Sequence, residues 1–351
     1  MSEAVTLIGD GIENPANAVV MQHAAAMFGA GCRFRDTKGL GETQQEGIPP
    51  GHEPFARIDV DQIRGLHPRI IAFDNLPRAA EVYGYRAGGD FAVMVGNERR
   101  GLSYDCAKLA TDKVQVPMHS RRIDCLNVAA ASAVALYYLC APQAGTMAVR
   151  KDPRSRRPEL LLLGPGDHFE LGSTIRSAAG FGWERAFVED RQQAWFGCDR
   201  ATRSEGRAAA RRGKNEILLV PCPTGTPFSN PRVTVITCRE SGTPLHRANF
   251  TGGPGQLVVI PDEGGVDVAA ENWSRFGGEV EFAQLRLPRT EFTYHYRLMA
   301  TIALAEIARQ VGRRPAGKAP AGPRPPFYDR SMGRLAEVAG ESVSFEELVR
   351  Y

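Results

Sequence analysis

No stretch of this sequence is long and apolar enough to span a bilayer, and its N-terminus lacks the charged start and apolar run of a secretory signal. Cysteine is sparse and unorganised. The seven residues, at 32, 106, 125, 140, 198, 222 and 238, are odd in number and show no CxxC spacing. That excludes a disulfide framework and a structural zinc site, and it points to a reducing interior. An excess of one charge is missing too: 43 Lys and Arg against 40 Asp and Glu leave a formal +3, which by itself implicates no partner. These absences predict a cytoplasmic protein with neither membrane nor metal among its partners. What is present is ordinary globular composition over 351 residues, 43% hydrophobic and 24% charged. That excludes wholesale disorder, collagen and coiled coil, and leaves room for two domains with separate cores.

Punctuation along the chain supports the division. Ala141-Pro-Gln-Ala-Gly-Thr and Lys151-Asp-Pro-Arg-Ser-Arg-Arg-Pro read as an exposed connection, and the Pro/Gly-rich stretch after Gly312 reads as a tether. The expected organisation is a first domain over 1–143, a linker over 144–158, a second domain over 159–312, and a tether with its tail over 313–351. A short docking helix is expected near Glu346. Within both domains, apolar runs such as Ile70-Ile-Ala-Phe, Phe91-Ala-Val-Met-Val and Leu257-Val-Val-Ile alternate with helical patterns, including Leu126–Leu139 and Tyr294–Val311. Continuous apolar strands between helices predict parallel sheets covered on both faces, hence an α/β fold.

The two domains also resemble each other. The run from Asn14 to Gly29 aligns with that from Asp167 to Gly182, Val95-Gly-Asn-Glu98 with Ile260-Pro-Asp-Glu263, and Val114-Gln-Val-Pro117 with Leu285-Arg-Leu-Pro288. The offset grows in chain order, as loop insertions in a second copy would produce. Two diverged copies of one α/β unit are expected.

Chemistry concentrates in the first copy. Val95-Gly-Asn-Glu follows a strand, Gly101-Leu-Ser makes a second turn, and Val116-Pro-Met ends another strand. Open α/β sheets bind ligands at the carboxyl ends of their strands, where these turns lie. Gly96 allows close backbone approach or positive φ, and the helix beginning after Leu126 can offer its first amides to a ligand. Taken singly, the glycines read equally well as turn glycines, Glu98 as an exposed turn residue and Asn127 as a helix cap.

As an ordered set, Phe91-Ala-Val-Met-Val-Gly-Asn-Glu-Arg-Arg-Gly-Leu-Ser103, Val116-Pro-Met118 and Cys125-Leu-Asn-Val-Ala-Ala-Ala131 resemble the second and third motifs of the SpoU branch of the SPOUT RNA methyltransferases. Asn14-Pro-Ala-Asn17, followed by Ala25 and Phe28-Gly29, resembles the first motif. The resemblance implies an α/β fold with a trefoil knot, S-adenosylmethionine as methyl donor, methylation of a ribose 2′-hydroxyl in tRNA or rRNA, and active sites at subunit interfaces. It assigns cofactor binding to Val95, Gly96, Asn97, Glu98, Gly101, Val116, Pro117, Met118, Cys125, Leu126, Asn127 and Val128. Asn17, Glu98 and Asn127 become candidate catalytic residues.

The sequence departs from the family pattern in three places. Cys125 stands where the family usually has serine, and a thiol is a poor hydrogen-bond donor. In the first motif the arginine position holds His23 and the glycine position Val19. The second copy supplies Gly172 and Arg176 at those positions, but Pro261-Asp-Glu-Gly-Gly265 and Thr290-Glu-Phe-Thr-Tyr-His-Tyr have lost the features of the later motifs. The expectation is a division of labour within a monomer acting as an internal pseudo-dimer: the first copy holds the cofactor and the second lends Arg176. If the first motif of the same copy faces the pocket instead, His23 takes that place. Guanidinium is an awkward base at neutral pH, so Arg176 is expected to clamp phosphate and stabilise developing alkoxide.

Arg200, Arg203, Arg207 and Arg211, with Arg212 and Lys214, would line one face of a helix over 199–212. Such a row suits an RNA backbone as well as it suits a solvated surface. tRNA is favoured over rRNA because the first motif begins almost at residue 1. The competing class is a non-catalytic RNA-binding or assembly protein derived from such an enzyme; a small-molecule substrate stays open as well.

Overall fold

In a computed structural model, the described residues are 4–40, 55–140 except 77 and 121, 156–312 except 212 and 290, and 343–344. Most of the expected linker, the tether, the segment near Glu346 and Arg212 lie outside them.

Apolar strands flanked by capped helices build the first sheet. Its elements are β1 (Val5–Asp10), α1 (Pro15–Met27), β2 (Gly31–Arg35), α2 (Val60–Leu66), β3 (Arg69–Phe73), β4 (Ala80–Glu81), β5 (Phe91–Val95), α3 (Tyr104–Leu109), β6 (Asp112–Gln115) and α4 (Val128–Cys140). The strand order is β2-β1-β5-β3-β6-β4, with parallel pairing throughout. Every residue of β5 is buried, as its unbroken apolar run requires for a strand covered on both faces. Asn14 starts α1: its Oδ1 accepts the Ala16 amide, and Pro15 occupies the first turn, where an amide would lack a partner anyway. Helix α4 packs on α1. It is buried nearly all round, which accounts for its lack of a polar stripe.

The second sheet uses the same recipe. It comprises β7 (Glu159–Leu163), α5 (His168–Gly180), β8 (Arg185–Glu189), α6 (Arg200–Ala209), β9 (Leu218–Pro221), β10 (Arg232–Thr237), β11 (Thr243–Pro244), β12 (Gln256–Pro261), β13 (Glu279–Gln284), α7 (Tyr296–Val311) and β14 (Val343–Ser344). Its order is β11-β13-β10-β12-β7-β8-β9-β14, antiparallel only between β14 and β9. Read from the other edge, β8-β7-β12-β10-β13-β11 repeats the first sheet strand for strand. Short 3-10 turns follow β4 and β11 alike, at Val82–Gly84 and Leu245–Arg247. Helix α5, capped by Asp167 through the Glu170 amide, has the same length as α1. It crosses α6 at two glycines: a Cβ on Gly172 would lie 2.3 Å from the Gly206 carbonyl oxygen. Gly172 is thus required by helix packing.

The compact units do not coincide with contiguous stretches of chain. The first gathers Met1–Pro117, Asn127–Met147 and Leu287–Thr293; the second gathers Met118–Leu126, Ala148–Arg286 and Tyr294–Tyr351. The loops entering α4 and α7 are each grouped apart from the helix that follows them.

Candidate active site

In the first unit, the loop after β5 folds back on itself and is pinned by two acids. Asn97 and Gly101 exchange backbone hydrogen bonds of 3.0 Å each way. A Cβ on Gly96 would lie 2.0 Å from the Leu102 nitrogen, and Gly101 has φ +70. Both glycines are therefore demanded by the loop's own closure. Asp74 accepts the Leu102 amide at 2.8 Å, and buried Asp10 accepts the Ser103 amide at 2.7 Å and Arg35 Nη1 at 2.9 Å. Asn97 spends its side chain on the fold: Nδ2 donates to the Gly11 carbonyl, and Oδ1 accepts the Arg99 and Arg100 amides. Sequence reasoning passed over Asp10 and Asp74. Their signal was an acid directly after an apolar strand run, at the strand ends where such loops begin.

Glu98 leaves this loop toward α1. Its Oε2 accepts the Glu13 amide at 3.1 Å, while Oε1 accepts the Asn14 amide at 3.2 Å and Asn17 Nδ2 at 3.0 Å. The amides at the start of a helix favour a carboxylate there. Asn17 Oδ1 in turn accepts Asn127 Nδ2 at 3.1 Å. Asn127 Oδ1 caps α4 by accepting the Ala129 and Ala130 amides, so those two amides are consumed within the chain. Folding thereby joins Glu98, Asn17 and Asn127 into one hydrogen-bonded series from three separate stretches of sequence. Asn17 is 3% exposed and Asn127 8%. In this series Asn17 has used one N–H and one acceptor position. Its remaining N–H and lone pair can orient a hydroxyl.

Of the other cofactor candidates, Val95, Pro117, Leu126 and Val128 are buried, and Val116 is half-buried just beyond the end of β6. Met118, Cys125 and Leu126 fall in the second unit, with Arg176. Arg176, on α5, is 8% exposed. Its Nε donates to the Cys125 carbonyl at 2.9 Å, and its Nη2 donates to the Leu126 carbonyl at 2.7 Å and to Cys125 Sγ at 3.0 Å. Burial lowers the pKa of Arg176, and neighbouring Arg211 adds to that, while Cys125 acts in the opposite sense. Nη1 has no hydrogen-bond partner among the described residues. His23 is half-buried on α1.

The arginine row does not form one free face. Helix α6 ends at Ala209, three residues short of the expected boundary, and Asp199 caps it. Arg200 is exposed, but Arg203 Nη2 donates to the Cys198 carbonyl, Arg207 is buried, and Arg211 Nη2 donates to Cys125 Sγ at 3.1 Å. Three of the four are occupied within the unit, because the helix packs by the face that carries them.

Residues 59–137 match the family model described as the SpoU rRNA Methylase family. No curated protein sequence matches the chain significantly. Similar solved structures include the TrmH/SpoU tRNA modifying enzyme of A. aeolicus, 19% identical over 39% of this chain and 73% of that one, with a TM-score of 0.34. Another is the SpoU methyltransferase AviRb from Streptomyces viridochromogenes, 20% identical over 39% of this chain and 59% of that one, TM-score 0.31. A third is an rRNA methyltransferase from Sinorhizobium meliloti, 18% identical over 39% and 56%, TM-score 0.32. The segment that matches the SpoU family model, residues 59–137, contains β3, β5, β6, the loop of Glu98 and most of α4.

Proposed function

We propose that this protein is an S-adenosylmethionine-dependent RNA methyltransferase acting on a ribose 2′-hydroxyl, with tRNA as the first substrate to test and rRNA the second. The observation that carries this reading is the Glu98–Asn17–Asn127 series, assembled by the fold within and beside the SpoU segment. The segments 95–101, 116–118 and 125–128 would hold the cofactor. They suit a ligand with an apolar, nucleoside-like body, since buried Val95, Pro117, Leu126 and Val128 alternate there with backbone turns. The bound sulfonium supplies an already activated methyl carbon.

The chain's own residues have the remaining tasks. Glu98, fixed by the amides of Glu13 and Asn14, holds the Asn17 amide in one orientation. Asn17 then aligns the attacking hydroxyl with its remaining N–H and lone pair. Arg176, a permanent cation with Nη1 to spare, stabilises the alkoxide as it develops. The two sheets, with their common strand order, are two copies of one unit in a chain that works as a monomer in the cytoplasm; only the first copy keeps the amide pair.

Calorimetry with S-adenosylmethionine is the direct test, and one site per chain is expected. Absence of binding removes the enzyme and leaves the non-catalytic RNA-binding or assembly reading in its place. Mass spectrometry of nucleosides from tRNA and rRNA incubated with the protein then identifies the modified residue.

A further inference from the structure

The segment Met118–Leu126 is fastened to the second unit at nearly every residue. The His119 and Ser120 amides both donate to the Gly180 carbonyl, at 2.8 and 3.2 Å. Met118 and Ile123 close over Gly180, where an added Cβ would lie 2.3 Å from Met118 Cε and 3.3 Å from Ile123 Cγ2. Arg122 pairs with Glu216 at 2.9 Å. Arg176 takes the carbonyls of Cys125 and Leu126. One fastening comes from a residue in an unusual backbone conformation. Arg211 follows the cap of α6 with φ 60, one of three non-glycine residues with positive φ among those described. Glycine or asparagine is the ordinary choice just past a helix end in this conformation. An arginine there is strained, and such strain persists where the side chain has a task. Here the side chain brings a second guanidinium to Cys125 Sγ, 3.1 Å away, beside that of Arg176 at 3.0 Å. Cys125 Sγ is thus the shared acceptor that lets two guanidinium groups lie side by side.

We propose that Arg211 is a positioning residue: through the Cys125 side chain, and together with Arg176, it fixes the segment that joins Pro117 to Asn127. This rests on the cofactor role proposed above for the two ends of that segment. Arg211 touches neither cofactor nor RNA in this role; it acts through Cys125. A serine at this position would still offer an acceptor to both guanidinium groups, and an alanine would offer none.

Hydrogen exchange of the full chain, read by mass spectrometry, tests the clamp without reference to activity. Arg211→Gly is the informative variant, because glycine keeps the left-handed helix end while removing the side chain. Exchange in peptides spanning 119–126 should rise about tenfold in Arg211→Gly and in Cys125→Ala, with α7 peptides unchanged as a control for folding. The double variant should exchange no faster than either single one, and Cys125→Ser should match the parent. The dissociation constant for S-adenosylmethionine should weaken in parallel in the loosened variants, with Arg211→Lys recovering part of the loss. Unchanged exchange in Arg211→Gly overturns the clamp, whatever the protein's function. Faster exchange with unaltered cofactor affinity overturns the positioning role. A parent chain that binds no S-adenosylmethionine overturns both the proposed function and that role, while the exchange result still decides the clamp.

Discussion

Corresponding places in the two units are furnished differently. Where the first sets Asn17 against Asn127, the second sets Glu170 against His295 and Arg297. Glu170 Oε1 lies 3.3 Å from His295 Nδ1 and 3.2 Å from the Arg297 guanidinium, and Oε2 accepts the Arg297 amide at 2.8 Å. The carboxylates after β5 and β12 diverge likewise. Glu98 reaches forward to the start of α1, whereas Glu263 turns to the loop after β10 and accepts the Cys238 and Arg239 amides and the Thr237 hydroxyl. The amide pair Asn17–Asn127 keeps an N–H donor as well as an acceptor beside the chain, whereas an ionised carboxylate such as Glu170 or Glu263 offers acceptors only. The same strand order carries a hydrogen-bonded amide pair in one unit and a carboxylate beside His295 and Arg297 in the other.

The largest expected effect separates the two carboxylates. Glu98→Ala leaves the Asn17 amide without its acceptor and should lower methyl-transfer turnover by about 10²-fold. Glu263→Ala should leave turnover within about threefold and instead cost ~2 kcal/mol, as stranded donors do. Steady-state kinetics and urea unfolding of both variants would erase the contrast if the two losses came out alike.

Acid sensitivity comes next, and it belongs to the second unit. Burial drives the pKa of His119 down to about 3 from 6.5, with Arg157 contributing, and its Nε2 has no hydrogen-bond partner among the described residues. The unfolded chain thus binds this proton first as pH falls. The stability that His119 contributes is full above pH 6.5 and drains away toward pH 3. His119→Phe should flatten the fall of the urea midpoint across that window; parallel curves for parent and variant would refute it.

Glu170 should add a smaller component at lower pH. Burial pushes its carboxyl upward, but His295 and Arg297 outweigh burial and leave it below its ordinary value. Its contribution is therefore present above the ordinary carboxylate pKa and lost as pH falls through the lower folded one. Glu170→Gln should shrink that acid loss in unfolding curves. The corresponding Asn17→Gln change in the first unit should leave the pH dependence as it was, since no titrating group is altered there.

The smallest effect concerns the arginine row. Arg200→Ala should reduce the salt slope of RNA binding by about one, as the loss of one phosphate contact would. Arg207→Ala, being buried, should be felt in thermal unfolding before it is felt in RNA affinity.

Much of this was legible in the sequence because it depends on local pattern. Apolar runs placed β3, β5 and β12, and the helical patterns over Leu126–Leu139 and Tyr294–Val311 placed α4 and α7. The ordered motifs also singled out Asn17, Glu98 and Asn127 as residues worth following. The row from Arg200 to Arg211 was legible only as a shared helix face, because periodicity shows which residues lie together but not what that face packs against. Gly172 read as a relic of a motif, although its reason is the approach of α6.

By itself, the sequence determined the α/β class, the repeated order of elements and the SpoU segment, all of which rest on short-range periodicity and on turns dictated by particular residues. Tertiary structure alone decided which polar atoms meet. That Glu98 takes the Asn17 amide while Glu263 turns away, and that Arg176 and Arg211 converge on one sulfur, depends on side-chain directions set by packing between elements far apart in the chain. A buried donor or acceptor must find whatever partner that packing brings within reach, and no local pattern encodes which one it will be.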